Sequence, residues 1–416
     1  VRKRTRKLSL FSSLRESIPL ALFSLWTNKL RAFLTLLGVV IGVATVIAVV
    51  SIIAGMNNYV IGTFAAWGSD NFSVQRIGVI MSAEEYREKN KRENITIEQK
   101  EAVERLCRSC DDVGAQLTRD GNIKYERESV DDTYIIGLTA NVLQLSRLHV
   151  AIGRDLTDLD IDHRRNVCVL GYEVAEVLFS TLDPIGKKVR LSGDEFTVIG
   201  VIEKRGTFLG QSMDNFVAIP FSTFTKMFGK DQSVEIIIRA QNREVMFATQ
   251  DEVRTILRSA REVPISDDDD FDILTSDMLI QLYKSFTGAA FMVMIGISSI
   301  SLIVGGIVIM NIMLVTVAER TREIGIRKAI GARKRDILNQ FLVESVTVSA
   351  AGGVVGILLG VLIAKLVALA SPLPASIETW SIAMGILISS TVGIFFGIYP
   401  AMRAARLDPI EALRAD

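Results

Sequence analysis

Few residues in this chain have the reactivity or the metal affinity that catalysis needs. Its 416 residues include three cysteines and two histidines. Cys107 and Cys110 form a CxxC pair, a spacing that can serve a redox site, half a metal site or a local disulfide. Zinc takes four ligands, and no second CxxC pair supplies the other two. His149 and His163 could complete such a site, but no spacing along the chain brings them to the cysteines. Cys168 sits in an apolar run and reads as a small buried residue. The acids at 267–270 could hold a cation, although a solvated loop is the simpler account. Two glycosylation sequons, at Asn71 and Asn94, are too short to carry weight.

The larger catalytic signatures are missing. The sequence contains no GxxxxGK[ST] phosphate-binding run, no HExxH and no GxSxG. Gly186-Lys187-Lys188 follows a turn but lacks the upstream glycine and the hydroxyl residue. We therefore expect no catalytic, cofactor-binding or metal-binding residues and no enzyme activity of the chain itself.

What the sequence does carry is four stretches without any Asp, Glu, Lys, Arg or His, at 32–69, 286–318, 345–364 and 379–402. A spanning helix needs about 20 apolar residues to cross a hydrocarbon core of about 30 Å. The predicted transmembrane helices are 32–55, 286–318, 345–365 and 379–400. The first is too long for a cleaved leader and lacks a small-residue cleavage pattern.

Basic flanks orient these spans, because cytoplasmic loops are rich in Lys and Arg. Eight basic residues lie in 1–31, seven in 319–340, and three more in the tail, whereas 371–378 has none. Four spans put every basic segment on one side. Both termini and the loop 319–344 are then cytoplasmic, and 56–285 lies outside. That outer segment has 28 basic and 38 acidic residues, a net of −10, and the remainder has a net of +10. The acidic exterior argues against nucleic acid as a partner. Outside the cytoplasm a disulfide becomes the favoured account of Cys107 and Cys110.

The fold class is thus an α-helical membrane protein of four transmembrane helices, with a large α+β extracytoplasmic domain inserted between helices 1 and 2. Within that domain, strands are predicted at 71–75, 134–137, 167–170, 188–191, 195–202, 216–219 and 234–239. Helices are predicted at 97–106, after a Thr96/Gln99 capping box, at 173–179 and at 245–261. The stretches 76–95 and 118–165 are the least patterned.

The spans lack ionisable groups, which argues against a proton-driven carrier or a charge-lined channel. They carry small-residue ridges instead: Gly38 and Gly42; Gly352, Gly356 and Gly360; Gly393 and Gly397. Such ridges let helix backbones approach closely, within one subunit or between two. Asn311 is an amide suited to interhelical hydrogen bonding. The 33 uncharged residues of 286–318 would extend roughly 50 Å, more than a bilayer core, so a stalk is expected. On the cytoplasmic side, Leu8, Phe11, Leu14, Ile18, Leu22 and Leu25 define an amphipathic helix over 1–31 at the lipid surface, with a break at Pro19. Residues 318–333 alternate charge sign and carry Ile324, Ile326 and Ile330 on an apolar side. They fit a plain topogenic loop or a docking helix.

Those last residues, 319–332 (ERTREIGIRKAIGA), resemble the signature of the FtsX/MacB-like permeases of ABC transporters. Residues 28–44 (NKLRAFLTLLGVVIGVA), 301–317 (SLIVGGIVIMNIMLVTV) and 399–414 (YPAMRAARLDPIEALR) are similar to other parts of that family. Val169-Leu170-Gly171-Tyr172, 183–187 (DPIGK) and 196–201 (FTVIGV) resemble the MacB-type periplasmic core domain. The resemblance implies a bacterial inner-membrane permease, working as a homodimer with a separate ABC ATPase subunit that binds ATP and Mg. It implies ATPase-coupling contacts from Glu319, Arg320, Arg322, Glu323, Arg327 and Lys328. It also implies mechanotransmission of ATP-driven motion to the exterior domain, for efflux and with a periplasmic adaptor as a candidate partner. The same family includes lipoprotein-releasing permeases and FtsX-like activators of cell-wall hydrolases.

Overall fold

A computed structural model describes residues 29–414 apart from Ser69, Thr181 and Leu209. The amphipathic segment expected at residues 8–26 lies outside the described residues. In chain order, helix α1 (Lys29–Trp67) leads to β1 (Asn71–Gln75), α2 (Ala83–Lys89), α3 (Ile97–Leu106), β2 (Cys110–Tyr125), β3 (Glu128–Leu138), α4 (Val142–Leu145), β4 (Val150–Gly153) and α5 (Asp158–Asp162). Then follow β5 (Val167–Leu170), α6 (Tyr172–Phe179), β6 (Lys188–Leu191), β7 (Asp194–Ile202), β8 (Thr207–Phe208), β9 (Gln211–Ser212), β10 (Phe216–Pro220), α7 (Phe221–Phe228), β11 (Glu235–Ala240), α8 (Met246–Ala260) and β12 (Asp272–Thr275). The chain ends with α9 (Ser276–Glu319), α10 (Thr321–Ala329), α11 (Lys334–Ala370), α12 (Thr379–Arg406) and α13 (Pro409–Arg414). All the strands fall between the first and second of the four long apolar helices.

The chain divides into two compact units, Val60–Tyr283 and Lys284–Asp416 together with the chain up to Tyr59. The first is α+β. Its main sheet has the order β12-β1-β11-β2-β3-β10-β5-β7-β4, with β6 bridging β2 and β7. Pairing is antiparallel except for β3 with β10 and β5 with β7. Alternation along the strands sorts side chains between the two faces. On β11, Ile236 and Ile238 are buried while Glu235 and Ile237 are half-buried on the other face. The principal core joins Val74, Val113, Leu117, Ile236 and Ile238 to Val103 of α3, Phe224 of α7 and Val253 of α8. A smaller core on Leu138, Val142, Leu143 and Ile202 includes helix α4.

Charged clamps close the loops of this unit. Asp272 accepts from Gly78 N–H at 2.7 Å and pairs with Lys89 and Arg92 at 2.8 and 3.2 Å, fixing the excursion over 76–95. Of the acids at 267–270, Asp267 and Asp268 are exposed as a solvated loop would have them, and the other two are paired. Asp269 pairs with Arg254 and Arg258 at 2.9 and 2.7 Å, and Asp270 pairs with the buried Arg261 at 2.6 Å.

The helical unit rests on close backbone approach. A Cβ on Gly38 would fall on the Gly305 Cα, so α1 and α9 meet where neither has a side chain. Gly352, Gly356 and Gly360 of α11 face Leu36, Val40, Val43, Ala44 and Ile47 of α1. Gly393 and Gly397 of α12 face Ser349 and Ser345 of α11. Those serines are buried but donate to their own helix, to Val346 O at 3.0 Å and Leu342 O at 2.9 Å. Gly42 packs on Leu302.

Several element boundaries differ from the expectation. The first helix continues beyond residue 55 to Trp67, since no proline interrupts it. The second has 44 residues, about 66 Å at helical rise, and begins ten residues before 286. Residues 334–344, expected in a loop, are the first turns of α11. Charge keeps a segment out of lipid but does not break a helix, so the loss of hydrophobicity marks a membrane boundary and not a helix end.

Candidate functional site

The segment from 319 to 333 is the best-defined candidate. A single residue, Arg320, separates α9 from α10, and hydrogen bonds Arg320 N to Thr316 O and Ile324 N to Arg320 O carry the chain across the break at 3.0 Å each. Gly331, at φ +108°, ends α10 in the left-handed conformation that glycine adopts without strain. Arg333 N–H then donates to Asp336 at 2.9 Å and caps α11.

One face of α10 is anchored. Ile324 and Gly325 are buried, and a Cβ on Gly325 would lie 2.8 Å from the Ala412 Cβ of α13. Lys328 Nζ donates to Ala405 O and Leu407 O at 2.7 and 2.6 Å, satisfying carbonyls that α12 leaves open at its C-terminus. Burial lowers the pKa of Lys328, and Lys334 adds to that shift. Arg320 reaches Glu344 of α11 at 3.4 Å, and Arg327 donates to Gln340 of α11 while pairing with Glu323. The opposite face is open: Glu319, Arg322, Glu323, Ile326 and Ile330 are exposed, the two isoleucines at 45% and 81%.

The six residues singled out from the sequence therefore have two kinds of position. Glu319, Arg322 and Glu323 point outward, whereas Arg320, Arg327 and Lys328 bind α10 to its neighbours. The single apolar side expected of Ile324, Ile326 and Ile330 is split: Ile324 is buried on the anchored face, while Ile326 and Ile330 are exposed. Their spacing of four puts them on the exposed face, beside the outward charges.

Elsewhere, Cys107 and Cys110 are joined by a disulfide. Glu252 of α8 receives Arg108 N–H and Ser109 N–H at 2.9 and 3.1 Å, and its bonds to Ser109 and Arg108 hold its carboxyl below the usual range. Cys168 is fully buried, which pushes its thiol pKa upward. His163 Nδ1 lies 2.9 Å from Leu159 O, and no group of three or more His, Cys, Asp and Glu could hold a metal among the described residues.

Residues 32–256 match the MacB-like periplasmic core domain, and residues 295–409 match the FtsX-like permease C-terminal domain. The macrolide export ATP-binding/permease protein MacB of Bdellovibrio bacteriovorus is 33% identical over 393 residues, covering 94% of this chain and 60% of that protein. The uncharacterized ABC transporter permease YknZ of Bacillus subtilis is 31% identical over 404 residues, covering 97% of this chain and 99% of that protein. The periplasmic region of MacB from Actinobacillus actinomycetemcomitans superposes with a TM-score of 0.46 at 18% identity, over 54% of this chain and 98% of that one. This chain thus spans about 60% of the length of the MacB relative and nearly all of YknZ. Two family domains matched in order, together with four helices of membrane-spanning length, make this membrane protein a member of the MacB/FtsX-like family of ABC transporter permeases.

Proposed function

We propose that the chain transmits ATP-driven motion from a separate ATPase to its α+β domain, inserted between spans 1 and 2 on the outer side of a bacterial inner membrane. The observation that carries this reading is the anchoring of α10. The helix offers an outward face of Arg322, Glu323, Ile326 and Ile330, while Lys328, Arg320 and Arg327 tie it to α11 and α12. A force on the outward face is thereby distributed to the helical unit. The permease works as a homodimer, with both termini cytoplasmic and nucleotide hydrolysis confined to the partner. Helices α1 and α9 are unbroken through Trp67 and from Ser276, which suits levers. Export is the transport direction taken from the naming of the MacB relative, and a periplasmic adaptor would extend the path.

The test is Glu323→Lys. It replaces an exposed i,i+4 ion pair with a like-charge pair, each change worth about 0.2–0.5 kcal/mol, so folding should survive. With the cognate ATPase co-reconstituted, stimulation of ATP hydrolysis by the permease should fall at least about tenfold while insertion and dimer size stay unchanged. Wild-type stimulation in this variant would remove the outward face of α10 from the mechanism.

A further inference from the structure

Within the α+β unit, the sheet face opposite the principal core borders a cavity of about 470 Å³. That is the size range of small-molecule sites. Its walls are mainly apolar, with Ile136, Leu143, Leu148 and Ile237 among them. Across its floor runs one polar row. Glu235 on β11 lies between Gln75 on β1 and Gln116 on β2, and both amide groups donate to its carboxylate, the second at 2.6 Å. Register explains the row: Val74 faces Ile236 and Gln116 faces Glu235, so the three side chains meet on one face.

The carboxylate is oriented but not neutralised. Glu235 is half-buried, and no Lys or Arg of the described residues forms an ion pair with it. Amide donors leave its net charge in place, and a carboxylate in an apolar, partly desolvated wall gains most from a cation. Arg205 is the other charged residue of the lining. It stands on an exposed loop, with its backbone N–H held by Asp214 at 3.0 Å. The outer segment as a whole is acidic by ten charges, which raises the local concentration of cations.

We propose that this cavity binds an amphipathic cation, its apolar body against Ile136 and Ile237 and its positive group on Glu235. The site is not part of the coupling argument and does not depend on it, because binding needs neither nucleotide nor ATPase.

The experiment uses two ions of one shape and opposite charge, tetraphenylphosphonium and tetraphenylborate, in equilibrium dialysis against the full chain in nanodiscs. Wild type should bind the phosphonium saturably, above the level of empty nanodiscs. Glu235→Gln keeps the size of the side chain and removes its charge, and should weaken that binding at least about tenfold. Ile237→Trp leaves the carboxylate in place and narrows the cavity on the face it shares with Glu235, and should weaken phosphonium binding as well, so the cavity is tested even if Glu235→Gln fails to fold. Phosphonium binding unchanged in either folded variant, or wild type preferring the borate, would overturn the proposal.

Discussion

Asp160 has no accessible surface, yet it stays charged because its neighbours supply every hydrogen bond that water would. Arg154 donates at 2.7 and 3.2 Å, Thr157 at 2.7 Å from its hydroxyl and 3.1 Å from its backbone, and Arg165 at 3.3 Å. The Arg154 bonds, with help from Thr157, hold the carboxyl well below the usual range although burial works the other way. An unfolded Asp titrates near about 3.9, so the native state keeps this group ionised at lower pH than the unfolded chain does. Its contribution is complete at neutral pH and is lost as pH falls below about 4 toward the folded value. Asp160→Asn is expected to cost about 2 kcal/mol near pH 7. In denaturant unfolding across pH, the gap between wild type and variant should close on acidification. A gap that widened instead would mean that the carboxylate is not the stabilising form. Thr157 and Asp160 stand at capping-box spacing, but the convergence of Arg154 and Arg165 on the same acid was not legible, because the stretch has no periodicity to announce its short helix.

At the scale of elements, contact between helices is set by what is missing from their surfaces. Gly38 and Gly305 leave no room for a Cβ on either side. Gly38→Leu must push α1 from α9, and overpacking of this kind costs about 1–3 kcal/mol. Thermal unfolding in detergent should show that loss, whereas Gly62→Leu, with open space around the site, should be near neutral. Equal effects at the two positions would show that helix propensity, not packing, governs. Gly38 was marked from the sequence by the ridge it forms with Gly42. Gly305 was not, because Ser301 and Ile309 stand four residues to either side and no glycine ridge forms. The same limit explains the α+β unit. Asn71–Gln75, which alternates, and Val167–Leu170, a short run of apolar residues, were legible to the residue. Strand β2 was not. Its 16 residues pass a register shift between Gly121 and Ile123, which breaks the period-two pattern, and besides its hairpin partner β3 it is held by β6 and β11, which are distant in sequence. Helix α5 is five residues long and is tied to α7 through Ser222, whose hydroxyl donates to Ile161 O, a contact no local pattern announces.

For the whole molecule, the apolar surface of the helical unit is what lipid requires, and an amide in the middle of α9 does not fit it. Asn311 is exposed on α9, in a stripe with Val304, Ile307 and Val315, which are also exposed. These spacings of three and four place all four on one face. An amide facing hydrocarbon lacks the hydrogen bonds that water would give it. A second copy of the chain meeting on this stripe would pair the two amides and cover the isoleucine and valines together. Interhelical amide bonds in membranes contribute about 0.6–2 kcal/mol, enough to fix a register without being the main source of dimer affinity. Asn311→Cys should therefore form an intermolecular disulfide in membranes under mild oxidation, while Leu358→Cys, exposed on α11, should not. Asn311→Leu should shift the purified permease toward monomer on dilution without lowering its unfolding temperature as a monomer. Crosslinking at residue 358 in preference to 311 would move the dimer contact to α11, and the levers proposed for α1 and α9 would then lie outside the interface.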